Sequence, residues 1–306
     1  MESFLIAAVI AGTPLLLAIL GEIITEKVGN LNLGVEGLML MGAVIGFNVA
    51  LKTNNPYLAL AGAALAGLAG AFIYTFLTVS LRTNQVVTGL TLTIFGTGFA
   101  GFLGKTLVGE VVPEQVSLFF ANRPIPLLSN IPFIGNVVFN HSIFVYFAYL
   151  IAIVTGVYLY NTRYGLNLRA IGENTAAADV AGLNITLYKY LHIGIGGILC
   201  ALGGAYLSLV YVPAWQENVT AGRGWIAIAL VIFCKWNPYY AVLAAVFFGG
   251  LDIIGFRIQN IFISRYIIDM LPYLFTTIVL IISSIKKSKE SNPPKSLGEA
   301  YFREER

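Results

Sequence analysis

The chain has little charge, almost no cysteine and almost no histidine. Only 11% of its 306 residues are charged and the net charge is +3, which is too modest to hold a nucleic acid. Its two cysteines, Cys200 and Cys234, fall inside apolar segments and form no CxxC or similar spacing. No disulfide framework or zinc site follows from them, and they read as packing residues. His141 and His192 are solitary and have no partner at metal-ligand or catalytic spacing. With no cluster of catalytic residues at one depth, the chain is expected to be no enzyme and to bind no metal or cofactor itself. One stretch, GFAGFLGKT from Gly98, ends like a phosphate-binding loop, but Phe99 stands where that motif needs its first glycine and no strand precedes it. Any ATP must be handled by another chain.

What the chain has in abundance is hydrophobicity, at 58% of residues. Apolar runs occupy 4–20, 33–51, 58–81, 86–104, 142–160, 187–211, 239–256 and 268–285, with a shorter one at 222–234. A helix needs about 20 apolar residues to cross a hydrocarbon layer of about 30 Å, and most of these runs approach that length. Spanning strands would alternate apolar and polar residues, whereas these runs are apolar on every face. The expected fold is therefore all-α, a polytopic membrane bundle of about nine spans. The first run opens on Glu2 and lacks the basic region and cleavage site of a secretory signal, so it is expected to be a retained helix.

Lysine and arginine give the bundle a direction, because loops facing the cytoplasm carry the excess. The tail at 286–306 holds Lys286, Lys287, Lys289, Lys295, Arg303 and Arg306, which places the C-terminus inside. With nine spans, Lys27, Arg82, Arg163, Arg169, Lys189 and Lys235 join that side. The opposite side receives only Lys52, Lys105, Arg123, Arg223, Arg257 and Arg265. If the run at 222–234 enters and leaves by one face, the count becomes eight and the N-terminal half flips.

An internal repeat favours nine. Asn55-Pro56-Tyr57 and the Ala/Gly-rich run after it recur as Asn237-Pro238-Tyr239 and YAVLAAVFFGG, each preceded by a glycine-punctuated apolar stretch (GVEGLMLMGAVIGF from Gly34, GRGWIAIALVIF from Gly222). Nine spans put the two corners on opposite sides, which is the mark of an inverted-topology repeat with a solute route between its halves. Two Ala/Gly-rich membrane helices also resemble one another by composition alone.

Two acids, Glu36 and Asp252, lie well within the apolar runs, where an ionisable group faces a bundle interior or a water-filled cavity. Glu36 sits near a helix start, where the dipole favours a carboxylate, so a structural and a pathway role stand equal. Asp252 reads as a helix-to-helix polar contact. Asn30, Asn32, Thr88, Thr91 and Thr93 line a polar route or serve as hydrogen-bonding glue.

Two loops stand out. In the cytoplasmic loop, 162–186, Asn174 or Thr175 can cap a short helix that runs through Ala176 to Val180 and ends at Gly182 and Asn184. Its small side chains suit close docking of a partner, or simply a surface helix. The outer loop, 105–140, carries Pro113, Pro124, Pro126 and Pro132 with much apolar surface, and suggests an embedded segment or a platform for an external partner.

The segments GNLNLGVEGLMLMG from Gly29, YGLNLRAIGENTAAADVAGLN from Tyr164 and GRGWIAIALVIFCKWNP from Gly222 resemble the permease subunits of bacterial ATP-binding-cassette importers for ribose-type sugars, branched-chain amino acids and nucleosides. The resemblance runs from the first helix to about residue 285. IPLLSNIPFIG and GEIITEKVGNLNLGVEG look most like the nucleoside permeases that work with a basic-membrane-protein-type binding lipoprotein. It implies a permease domain at 1–285 in the bacterial plasma membrane, usually with a second permease subunit and an extracytoplasmic solute-binding lipoprotein. An ATP-binding subunit, carrying ATP and Mg, would dock on a coupling helix formed by Glu173, Asn174, Thr175, Ala176, Ala177, Ala178, Asp179 and Gly182. Affinity would reside outside the membrane, leaving Asn30, Asn32, Glu36, Thr88 and Thr91 as pathway residues. A ribose-type sugar permease and an ion-coupled secondary transporter are the competing readings; the latter usually carries more buried acids than this chain.

Overall fold

The computed structural model describes residues 1–257, 270–271, 274–275, 277–278, 281 and 293–303. The run at 268–285 lies largely outside the described residues, as do Arg265, Lys286, Lys287, Lys289 and Arg306. The chain is built from α1 (Glu2–Lys27), α2 (Val35–Thr53), α3 (Pro56–Thr75, continued by a π turn Phe76–Ser80) and α4 (Gln85–Gly104). After these come α5 (Glu114–Phe119), β1 (Asn122–Pro124), α6 (Ile134–Val138), β2 (Asn140–Ser142) and α7 (Ile143–Asn161). The rest is α8 (Arg163–Glu173), α9 (Thr175–Val180), α10 (Ile185–Tyr206, with a π turn Leu207–Tyr211), α11 (Arg223–Phe233) and α12 (Pro238–Arg257).

Asparagine starts many of these helices. Asn84, Asn174 and Asn184 each accept a backbone N–H from the first turn of α4, α9 and α10. The two Asn-Pro-Tyr corners share one mechanism. Asn55 Oδ1 accepts the Tyr57 N–H at 2.9 Å and Asn237 Oδ1 accepts the Tyr239 N–H at 2.9 Å, each with proline at the first helical position, where its missing donor costs nothing.

Among the described residues, six helices are long and apolar enough to cross a membrane: α1, α2, α3 with its π turn, α4, α7 and α10 with its π turn; the apolar helical stretches Arg223–Phe233 and Pro238–Ile254 are shorter. The core is α1 between α10 and α12, and α10 against α2 and α3. Helices α2 and α10 nearly touch backbone to backbone. A Cβ on Gly204 would lie 1.8 Å from the Met39 carbonyl oxygen, so only glycine allows the approach. Helices α4 and α7 lie outside this core and leave Val87, Leu90, Ile94, Phe95 and Phe102, and Leu150, Ile153 and Val154, exposed. In a membrane such faces meet lipid or another subunit.

Contacts sort the helix ends into two levels. At one lie Glu2 with Asn136 (2.7 Å), Tyr57 against Phe119 (5.0 Å between rings) and Val112, whose N–H bonds the Pro213 carbonyl at 3.0 Å. At the other, Lys27 lies over Trp236, and Arg82 and Asp179 meet the tail at 301–303. That second end, called here the α9 end, also carries Arg163 and Arg169 on α8.

The first apolar run does not stop at residue 20. Helix α1 continues to Lys27 and carries Glu22 and Glu26 into the bundle at 0% and 2% exposure. The reading that placed only Glu36 and Asp252 well inside is corrected by this extension.

Candidate functional site

Between α1 and α2 the chain leaves helical geometry for seven residues, Val28 to Gly34, while staying buried or, at Leu31 and Leu33, half-buried. Backbone inside a membrane must find partners within the protein, because neither lipid nor water is there to supply them. Here the partners come from three surrounding helices. Gln85 Oε1 of α4 accepts the Leu31 N–H at 2.8 Å, and Tyr74 of α3 donates its hydroxyl to the Leu31 carbonyl at 2.6 Å. Glu22 of α1 accepts the Asn32 N–H at 3.1 Å, and Thr93 donates to the Leu33 carbonyl at 2.9 Å. Asn32 Oδ1 accepts the Gly34 N–H at 2.9 Å, closing a local turn.

The second departure from helix lies between Tyr211 and Arg223. Its end is held by one side chain, Glu36, from the first turn of α2. Thr220 donates its hydroxyl to Glu36 Oε1 at 2.5 Å, the Gly222 N–H donates to the same oxygen at 2.9 Å, and the Gly224 N–H donates to Oε2 at 2.6 Å. The carboxylate therefore caps α11, meeting the positive end of that helix. Gly222 takes φ +82°, a region open to glycine, and a Cβ on Gly224 would lie 2.5 Å from the Glu36 Cα. The start of α2 and the start of α11 thus touch, with the two helices running apart. The 11 residues of α11 rise about 16 Å, roughly half a hydrocarbon layer, and end where Trp236 donates its indole N–H to Glu26.

The pathway candidates land as follows. Asn30 is fully buried, with its amide 3.5 Å from the Thr78 hydroxyl. Asn32 and Glu36 hold the two breaks. Thr88 is buried and donates to the Asn84 carbonyl at 2.8 Å, whereas Thr91, donating to Val87, stands on the exposed face of α4. Asp252 pairs with Arg223 at 2.6 Å, tying α12 to the start of α11. His192 meets the Tyr158 hydroxyl at 2.6 Å, and His141 lies 2.8 Å from the Val137 carbonyl. Both cysteines are buried and free.

At the α9 end, Asn174 Oδ1 accepts the Ala177 N–H at 2.9 Å and starts α9, and Gly182 at φ +85° follows its last turn. Glu173, Asn174, Ala177 and Gly182 are exposed, Ala176 and Asp179 are half-buried, and Thr175 and Ala178 face inward. Val180, 72% exposed, is the apolar knob of this helix. The tail folds back here. The Ser296 N–H bonds the Gly172 carbonyl at 2.9 Å, Tyr301 donates to Asp179 at 2.7 Å, and Gln85 donates to the Glu299 carbonyl at 3.2 Å.

Sequence reasoning missed Glu22, Glu26, Tyr74, Gln85 and Trp236. The signal for the first two was present, since acids four apart at the end of an apolar helix share one face. Nothing local marks Tyr74, Gln85 or Trp236, whose partners lie 43, 54 and 210 positions away.

A bundle of membrane-length helices with two breaks meeting in its interior is the architecture of a membrane permease. The chain belongs to the branched-chain amino acid transport system / permease component family, whose model matches residues 4–284. It is 37% identical to TsgC13 of Haloferax volcanii, a candidate glucose ABC transporter permease protein, over 97% of each chain. It is 34% identical to the nucleoside ABC transporter permease protein NupC of Lactococcus lactis over 89% of each chain. It is also 31% identical to the guanosine ABC transporter permease protein NupQ of Bacillus subtilis, over 90% of this chain and 89% of that one. Among solved structures, an inward-facing conformation of a candidate metal-chelate type ABC transporter shares the fold, with TM-score 0.50 and 14% identity over 93% of this chain and 85% of that one. The chain is thus a permease subunit of an ABC transporter.

Proposed function

We propose that this permease is one membrane half of an ATP-driven importer for nucleosides in a bacterial plasma membrane, with its α9 end and C-terminus facing the cytoplasm. The observation that carries the coupling role is α9 itself, a capped, largely small-residue helix standing exposed at the end where the basic side chains gather. An ATP-binding subunit docks there, on Glu173, Asn174, Ala177 and Gly182, with Val180 as the apolar anchor. Thr175, Ala176, Ala178 and Asp179 seat the helix against α8 and the tail. Likeness to both NupC and NupB, two nucleoside permeases of one Lactococcus lactis strain, supports a second, related permease as the other half. A solute-binding lipoprotein delivers cargo at the end bearing α5 and α6.

The chain crosses the membrane nine times in this reading, as two halves of inverted topology. Two features support it. The Asn-Pro-Tyr corners share one capping geometry at opposite ends, and α2 and α11 begin together in the interior and run apart. The segment before α11 completes a crossing that its 11 residues alone cannot make. The route follows the exposed face of α4, where Thr91 stands, and Asn30, Asn32, Glu36 and Thr88 shape it from behind.

Likeness to TsgC13 favours a second reading, in which the cargo is a sugar. Proteoliposomes carrying this chain, its partner permease, the ATP-binding subunit and the lipoprotein distinguish them. Nucleoside uptake that requires ATP is expected, and sugar uptake without nucleoside uptake overturns the cargo. Val180→Glu should lower uptake and co-purification of the ATP-binding subunit by about tenfold, by placing a charge in an apolar contact. Unchanged co-purification removes α9 as the docking site.

A further inference from the structure

A cavity of about 410 Å³ opens at the α9 end, beside the proposed docking helix, whose Asp179 and the following Gly182 line one wall. Its walls are the end of α3 with Thr78 and Arg82, the first turns of α10 with Asn184 and Lys189, and the tail with Tyr301 and Arg303. Lys189 is 3% exposed, and no hydrogen bond or ion pair holds its ammonium group among the described residues. A buried cation without a counter-charge is costly, so a cavity beside it is a place for an anion. The carboxylate in the wall, Asp179, is taken up by two other wall residues, accepting the Tyr301 hydroxyl at 2.7 Å and pairing with Arg303 at 3.1 Å, which leaves the charges of Lys189 and Arg82 uncompensated among the described residues.

Two further features converge on the same space. Helix α10, 22 residues long, begins there with Asn184, Ile185 and Thr186, so the positive end of its dipole opens on the cavity. Arg82 packs its guanidinium against the Phe302 ring, 4.8 Å from the centroid, and has no carboxylate partner among the described residues. A helix start, a buried ammonium and a guanidinium make the donor set that recognises phosphate. The volume exceeds that of a bare phosphate and accommodates an attached organic group.

We propose that this cavity binds the phosphate group of a phosphoester ligand, with Lys189 as its principal counter-charge. A phospholipid head group of the adjoining leaflet and a soluble phosphate share that chemistry. The test uses the full chain in maltoside detergent and phosphate-free buffer. Phosphatidylglycerol and inorganic phosphate are added separately, and retention is read by native mass spectrometry and thermal melting. At least one probe should bind and raise the melting temperature, and which one binds identifies the source. Lys189→Met should weaken binding about tenfold, the scale of one hydrogen bond to a charged group, while Lys189→Arg preserves it. Arg82→Gln, at an exposed position, should weaken it less and carries the test if Lys189→Met does not fold. Binding of neither probe, or equal binding by Lys189→Met and Arg82→Gln, overturns the proposal. So does binding that appears only after residues 304–306 are removed, because the counter-charge is then the chain's own Glu304 and Glu305.

Discussion

The two breaks in the bundle are held in opposite ways. At 28–34 the backbone is shared among Glu22, Tyr74, Gln85 and Thr93, drawn from three helices, so no single side chain carries the segment. At 220–224 three donors converge on one carboxylate, that of Glu36. Distributed support tolerates loss and movement of one partner, whereas convergent support makes a single joint. That joint ties α2, the first helix after one break, to α11, the helix after the other. A permease that alternates between states needs elements that move as units, and a shared cap makes the starts of α2 and α11 one unit.

This contrast is sharpest at Glu36. Glu36→Ala leaves the Thr220 hydroxyl and the Gly222 and Gly224 N–H groups without their acceptor and should cost about 3 kcal/mol or more, each unsatisfied buried donor costing about 1–3 kcal/mol. Glu36→Gln, which keeps an acceptor oxygen, should recover part of that. Thermal melts in detergent give the magnitude, and hydrogen exchange over 220–226 should show the loss concentrated there. Protection lost equally across 28–34 would mean that the two breaks are not separately held.

Around the first break the expected effects are smaller. Gln85→Ala removes the acceptor for Leu31 and the donor to Glu299, and should cost about 1–3 kcal/mol. Thr93→Val, which removes one hydrogen bond at nearly constant shape, should cost about 1 kcal/mol. If either single change costs as much as Glu36→Ala, the support there is not distributed.

The smallest effect lies in β2, at the end bearing α5 and α6. Burial holds His141 below its ordinary value of 6.5, so on acidification the unfolded chain takes up the proton first. Stability is then full at neutral pH and declines as pH falls through the unfolded value toward the lower folded one. By linkage the folded state loses stability as pH falls from 7 through the unfolded value of 6.5. His141→Gln should flatten that part of the melting temperature against pH. An unchanged slope would place the titrating group elsewhere.

Much of the fold was legible in the chain. Apolar runs marked the long helices, and Asn174 marked the start of α9, because an N-cap is a local interaction between a side chain and the next turn, whereas Asn184, read as the end of that helix, caps the start of α10 instead. Hydropathy ended the first helix at residue 20 because Gly21 and Glu22 follow, yet α1 runs on to Lys27. Two partners bond the buried acids there: the Trp236 indole, 210 positions from Glu26, and the backbone of Asn32, which reaches Glu22 only because the chain turns back after the helix.

Sequence alone marked the long apolar helices and α9, though not α5, α6 or α8, because periodicity, caps and the length needed to cross a bilayer are properties of neighbouring residues. It also marked Glu36 as out of place. Only the tertiary structure decided what Glu36 does. A carboxylate at membrane depth is equally a pathway residue or a cap until the donors around it are known, and those donors, Thr220, Gly222 and Gly224, come from a segment some 184 to 188 positions away.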